Sequence, residues 1–129
     1  MAVVYNPLNN TQKFYEGHRF KITCLAIHPL KCFVATGESA PRPTIHIWNV
    51  FNTEPIKIIR TNHKNGIYDL VFSRDSSFIV SIGIDESYSI QVTNWKTETV
   101  IAFRNSGNLP ICAVMFNPYN RYEFTTCGY

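Results

Sequence analysis

Apolar positions recur in one pattern three times along the chain, in Ile22–Gly37 (ITCLAIHPLKCFVATG), Ile67–Gly83 (IYDLVFSRDSSFIVSIG) and Ile111–Gly128 (ICAVMFNPYNRYEFTTCG). Each copy opens with the same spacing: Ile22, Leu25, Ala26 and Ile27 correspond to Ile67, Leu70, Val71 and Phe72, and to Ile111, Val114, Met115 and Phe116. A polar turn follows at His28-Pro29, Ser73–Asp75 or Asn117-Pro118, then a short apolar run that ends at a glycine. Between the copies, Thr44–Asn49 and Ser89–Asn94 alternate apolar and polar residues with period two, which predicts strands. Pro55–Arg60 and Thr99–Arg104 add short β-rich runs, and Ala2–Asn6 and Gln12–Glu16 predict two strands ahead of the first copy. No segment has helical periodicity. The pattern predicts an all-β chain built as an array of small four-stranded sheets with a period of about 45 residues.

Four strands per unit of this length resemble the blades of a WD-repeat β-propeller. Gly17-His18 is similar to the dipeptide that opens such a repeat, and Trp48-Asn49 to its closing Trp-Asp, with Asn in place of Asp. Val3–Asn6 resembles a closing motif of a preceding blade. Tyr15–His18, Cys24–Pro29, Val34–Gly37 and the proline-bearing insert ahead of Ile45–Trp48 resemble, more narrowly, the echinoderm microtubule-associated protein-like (EMAP-like) family. Gln91–Lys96 is similar to that family's Val-Trp-Asp-Trp-Lys, with Thr93 at the first Trp, Asn94 at the Asp and Trp95 keeping the second Trp.

The resemblance implies a structural role for His18, relayed through an Asp, a Ser or Thr, and the Trp of its repeat. Thr36 and Trp48 are in place, but Glu38–Pro43 replaces the turn that would carry the Asp. In the next unit Asp85 occupies that turn and His63 stands for the histidine, while Thr93 replaces the Trp. Neither relay is complete by sequence. His28 starts a polar turn, and His46 lies between inward apolar positions, so both are expected in solvent. Trp48, Phe72 and Phe116 are expected to pack between sheets. Trp95 follows its strand and either caps a blade edge or stands half exposed.

Strand count predicts a partial propeller of about three blades. Residues 1–16 are the outer strands of one blade, 17–61 and 62–105 are full blades, and 106–129 are the inner strands of a further one. Closing these into a ring of three is disfavoured, because propellers use about four to eight blades. An arc of a longer propeller is expected, with the rest of that propeller as its first partner. The loops between blades and those between second and third strands share one end of the disc in this fold. They carry Arg19, Phe20, Lys21, Arg42, Lys64, Glu86 and Tyr88, the candidate partner-binding residues.

Composition narrows the function. Charged residues make up 16% and the net charge is +3, with no run of like charges, which argues against a nucleic-acid or membrane-surface stripe. No apolar run is long enough to span a bilayer, and no secretion signal is visible. Cys24, Cys32, Cys112 and Cys127 lack metal-ligand spacing and read as reduced packing residues. No nucleophile elbow or phosphate-binding glycine motif is present. The expectation is a non-enzymatic interaction scaffold without cofactor or metal. By resemblance, tubulin or microtubules are its leading partner, in a cytoplasmic, cytoskeletal or ciliary location. The alternative is an adaptor in an unrelated complex, such as ubiquitin-ligase substrate recognition or RNA processing.

Overall fold

The structure, a computed structural model, describes residues 1–30 and 32–129. Twelve strands follow one another: β1 (Ala2–Asn6), β2 (Thr11–Tyr15), β3 (Lys21–Ile27), β4 (Phe33–Ser39), β5 (Thr44–Asn49), β6 (Pro55–Arg60), β7 (Ile67–Phe72), β8 (Phe78–Gly83), β9 (Ser89–Asn94), β10 (Thr99–Asn105), β11 (Ile111–Phe116) and β12 (Phe124–Gly128). The described residues contain no helix. β3–β6 and β7–β10 form two four-stranded antiparallel meanders, while β1–β2 and β11–β12 are two-stranded.

The sequence repeat is a geometric repeat. Thr23, Tyr68 and Cys112 each sit at a register shift at the same place in the first strand of a copy. Asn10, Thr53 and Glu98 take left-handed backbone angles (φ 54, 58 and 60°) at the same place in three hairpin turns. These turns follow the third strand of a sheet, or β1. Their asparagines Asn6, Asn49 and Asn94 accept the backbone N–H of Leu8, Phe51 and Lys96. Asn49 and Asn94 therefore shape turns.

The sheets stack face to face, β7 lying over β3 and β4, and β11 over β7 and β8. Between the first two sheets lie Ala35, Ile45, Ile47 and Ile59 on one side and Ile67, Leu70, Phe72 and Ile79 on the other. Val80, Ile82, Ile111 and Val114 form a second layer with half-buried Val71, Val92, Phe116 and Phe124. Trp95 is buried, its indole N–H donating to the Ser76 carbonyl (2.6 Å), and its ring meets Phe72, Phe33 and His28 edge-on.

His28 is thus buried, contrary to its polar-turn context. Its Nδ1 accepts the Leu30 N–H, and the neighbouring sheet's aromatic rings close over it. His46 is buried as well. Period-two alternation puts a residue in water only where one face of the sheet is wet. β5 has no wet face, because the next sheet covers one side and the β1–β2 hairpin the other. At the outer rim two lysines repeat: Lys13 of β2 donates to the Phe51 carbonyl and Lys57 of β6 to the Lys96 carbonyl, each reaching the hairpin turn of the following sheet.

Ile47→Ala, in the layer between the full sheets, is expected to lower stability by about 2–5 kcal/mol. Ile58→Ala, on the exposed outer strand, should cost under about 1 kcal/mol. Urea denaturation midpoints of the two variants check this.

Candidate functional site

Two polar networks hold the loops at one end of the stacked sheets. In the first, the indole N–H of Trp48 donates to Thr36 Oγ1 (3.2 Å), and Thr36 Oγ1 is hydrogen-bonded to His18 Nε2 (2.8 Å) and lies 3.4 Å from the His46 carbonyl. His18 Nδ1–H then donates to Glu38 Oε2 (2.9 Å), whose Oε1 accepts from the Thr44 hydroxyl (2.7 Å) and backbone N–H (3.2 Å). His46 Nε2–H donates to Thr44 Oγ1 (3.1 Å), and His46 Nδ1 accepts from the Tyr15 hydroxyl (2.8 Å). Because the carboxylate only accepts and the Thr44 hydroxyl gives its proton to it, His18 donates through Nδ1 and His46 through Nε2. Tyr15 also stacks on Trp48 (4.7 Å, 4°), and the His18 and His46 rings stack at 3.7 Å. Gly17 lets this happen: a Cβ there would lie 2.2 Å from the Tyr15 hydroxyl oxygen.

Glu38 is the acid missing from the sequence reading. It belongs to β4, not to the following loop, and its extra methylene reaches the histidine from the strand. The signal available was its place, two residues past Thr36 on the same face of a strand. The second network uses the expected Asp85. His63 Nδ1–H donates to Ser89 Oγ (2.7 Å), and Nε2 accepts from the Ser81 hydroxyl (2.8 Å). Asp85 accepts the Ser89 hydroxyl and, through Oδ1, the Ser89 backbone N–H (2.8 Å). Gln91 and Thr93 fill the place of the tryptophan, with Gln91 Nε2 donating to Thr93 Oγ1 and Oε1 accepting the Asn62 N–H. Any side chain at Gly83 would strike His63, Asp85 and Ser89 together. Ser81, Ser89 and Gln91 escaped the sequence reading because a serine or glutamine on a strand has no spacing signature.

Burial, then the neighbouring His18, pushes the His46 pKa down to about 4, and burial pushes His63 to about 4. Burial alone would raise the carboxyls. Hydrogen bonds from Thr44 and His18 to Glu38, and from Ser89 to Asp85, outweigh it and hold both below their ordinary values. His18, Glu38 and His46 bring one ligand atom each within 4.8 Å of one another, the spacing a metal ion needs. Every one of their side-chain nitrogens and oxygens already has a protein partner, so the residues present form a closed hydrogen-bond network rather than a ligand set. Burial also raises the Cys24 thiol to about 12.

The networks lie beneath the candidate partner residues. Arg19, Phe20, Lys21, Arg42, Lys64 and Glu86 are exposed around this end, while Tyr88 is half buried against the second core layer. Strand direction puts Arg60 and Arg104, at the ends of β6 and β10, beside them. Among the described residues, exposed charge here is Arg19, Lys21, Arg42, Arg60, Lys64 and Arg104 against Glu16 and Glu86. At the opposite end, among the described residues, Arg74, Lys96 and Arg121, with the ammonium groups of Lys13 and Lys57 that reach its turns, are set against Glu54, Asp75, Glu98 and Glu123.

A family model described as "WD domain, G-beta repeat" matches residues 9–49 and 54–88. The chain belongs to this WD-repeat family, and its sheets are propeller blades. It is similar along 99% of its length to several EMAP-like proteins. It is 30% identical to human echinoderm microtubule-associated protein-like 4 and 28% to that of Xenopus laevis. It is 26% identical to the 77 kDa echinoderm microtubule-associated protein of Strongylocentrotus purpuratus. It spans 14%, 15% and 20% of those proteins. Among solved structures, a chain of the mitotic checkpoint complex superposes with a TM-score of 0.83 at 19% identity, covering 98% of this chain and 37% of that one. The Myceliophteria thermophila Cps50 (Swd1) β-propeller domain gives 0.73 at 17%, covering 87% and 32%. These superpositions establish the fold.

The histidine shifts set the sign of a pH dependence. His46 and His63 bind protons less readily folded than unfolded, so the stability they contribute is full above pH 6.5 and is lost as pH falls toward about 4. Glu38 and Asp85, held low in the fold, act in the same direction at lower pH. Denaturation midpoints are expected to drop between pH 6.5 and 4, and His63→Gln to flatten that slope. Glu38→Gln should cost about 1–3 kcal/mol at neutral pH, since its amide turns donors toward the Thr44 donors.

Proposed function

We propose that this chain is a non-catalytic interaction scaffold whose loop-bearing basic end contacts microtubules or tubulin. The observation that carries the reading is the distribution of exposed charge among the described residues: at the loop-bearing end six exposed cations stand against two exposed carboxylates, whereas at the other end cations and carboxylates are nearly matched. Cationic groups on a rigid support raise encounter rate and affinity with an acidic surface in a salt-dependent way. The microtubule surface presents acidic groups, and the relatives that match along nearly the whole chain carry microtubule association in their names. The polar networks serve this role by rigidity, because each loop that bears a basic residue starts or ends at a buried histidine, carboxylate or serine. A cytoplasmic, cytoskeletal setting follows from that partner. The reading also takes residues 17–61 and 62–105 as full blades, 1–16 as the outer half of one and 106–129 as the inner half of another. Arg19, Phe20, Lys21, Arg42 and Lys64 are its contact residues, with Glu86 and Tyr88 at the margin.

Co-sedimentation with polymerised tubulin across a salt series tests it. The wild-type chain is expected in the pellet at low salt and released as salt rises. A variant with Arg19→Glu, Arg42→Glu and Lys64→Glu should stay in the supernatant with an unchanged melting temperature. Equal pelleting of a folded triple variant at low salt would overturn the proposal.

A further inference from the structure

The loop between β6 and β7, which carries Lys64, is held on both sides of a turn. Before the turn, the Asn62 N–H donates to Gln91 Oε1 (2.8 Å), and His63 is bonded to Ser81 and Ser89. After it, the Gly66 carbonyl accepts the Ile84 N–H (3.0 Å). Asn65 and Gly66 turn the chain between these anchors with φ of 66° and 143°. Gly66 is packed so closely that a Cβ there would lie 2.9 Å from Ser39 Cα and from Ile84 Cδ1. Asn65 is exposed. Among the described residues, its carboxamide has no protein hydrogen-bond partner, and neither has the Gly66 N–H that follows it. One bond holds the peptide between them at its oxygen, from the Ser39 hydroxyl to the Asn65 carbonyl (3.2 Å).

Two other exposed asparagines differ at both groups. The carboxamide of Asn10 accepts the Tyr5 hydroxyl (2.9 Å), and that of Asn105 the Ser87 hydroxyl (3.1 Å). The N–H after each is engaged as well: Thr11 donates to Asn9 Oδ1 (3.3 Å) and Ser106 to the Ser87 carbonyl (3.2 Å). Only at Asn65 of these three do a free carboxamide and a free backbone amide meet, with no side chain on the next residue to crowd their approach. Asparagine is thermolabile for this reason: its carboxamide carbon can be attacked by the following backbone nitrogen.

We propose that Asn65 is a site of spontaneous covalent modification. The Gly66 nitrogen attacks Asn65 Cγ, and the new C–N bond closes a cyclic imide. The bond from Cγ to the carboxamide nitrogen breaks, and that nitrogen leaves as ammonia with the proton Gly66 gives up. Water then opens the imide at one of its two carbonyls. Opening at Cγ leaves aspartate. Opening at the main-chain carbonyl leaves isoaspartate, whose backbone runs through Cγ. Either product sets a carboxylate beside Lys64 where a neutral amide stood, and lowers the positive charge of the loop-bearing end. Isoaspartate also lengthens the backbone between the two anchors and turns the carbonyl that Ser39 holds into a side-branch carboxylate. The proposal stands on the geometry of this loop and not on the microtubule reading, so loss of tubulin binding leaves it intact.

The test is to hold the folded chain in mildly alkaline buffer, sample it over days and map it by peptide mass spectrometry. Isoaspartate is counted by methyl transfer from S-adenosylmethionine with protein isoaspartate methyltransferase. The peptide containing Asn65 should convert to the aspartate mass and accept methyl groups. Its conversion should run at least about tenfold faster than at Asn10 or Asn105, the factor that freeing one hydrogen-bonded amide costs. Asn65→Gln should remove both signals from this peptide. An Asn65 peptide that stays intact in the folded chain while it converts in urea would overturn the proposal, as would equal conversion at Asn105.

Discussion

Face-to-face coverage of one sheet by the next is the constraint on which this chain depends. A four-stranded sheet of six-residue strands has too little apolar area to stand alone. Here Ile45, Ile47 and Ile59 reach full burial only because Ile67, Leu70, Phe72 and Ile79 of the following sheet lie against them. The period of about 45 residues is the length needed to lay down four such strands and step to the next sheet. Stability in such an array comes from neighbour-to-neighbour contact, so what a given face buries is decided by whether a neighbour is present.

Polar groups obey the same constraint. A sheet covered on both faces strands any polar side chain that alternation would otherwise send to water, and each must then find a partner. His46 does so through Tyr15 and Thr44, and His18 through Glu38 and Thr36. In the next sheet His63, Ser81, Ser89 and Asp85 solve the same problem with different residues. These networks occupy one end of the stack and anchor the loops there. Rigid loops on that end, with their exposed arginines and lysines, give the disc a chemical polarity.

The strands were legible because period-two alternation and the threefold repeat reinforce one another. Ala2–Asn6, Thr44–Asn49, Pro55–Arg60 and Ser89–Asn94 appear in the structure with the limits that the pattern implies. What alternation misreads is depth. It puts His28 and His46 in solvent, whereas stacking places an aromatic neighbour over each. The relay was legible at His18, Thr36 and Trp48, whose residue types are distinctive, but not at Glu38. An acid just before a proline-rich insert reads as part of the loop, and only the strand's continuation to Ser39 turns it back under His18. Trp95, open between edge and surface in the sequence, is fixed by the Ser76 carbonyl in the β7–β8 turn.

The central functional claim is that the basic, loop-bearing end faces the partner. Zero-length carbodiimide cross-linking of the chain to polymerised tubulin, mapped by peptide mass spectrometry, tests it most directly, since only lysines in contact with carboxylates are joined. The account predicts links from Lys21 and Lys64 and none from Lys96 at the opposite end. Links from Lys96, with Lys21 and Lys64 unmodified, would contradict it.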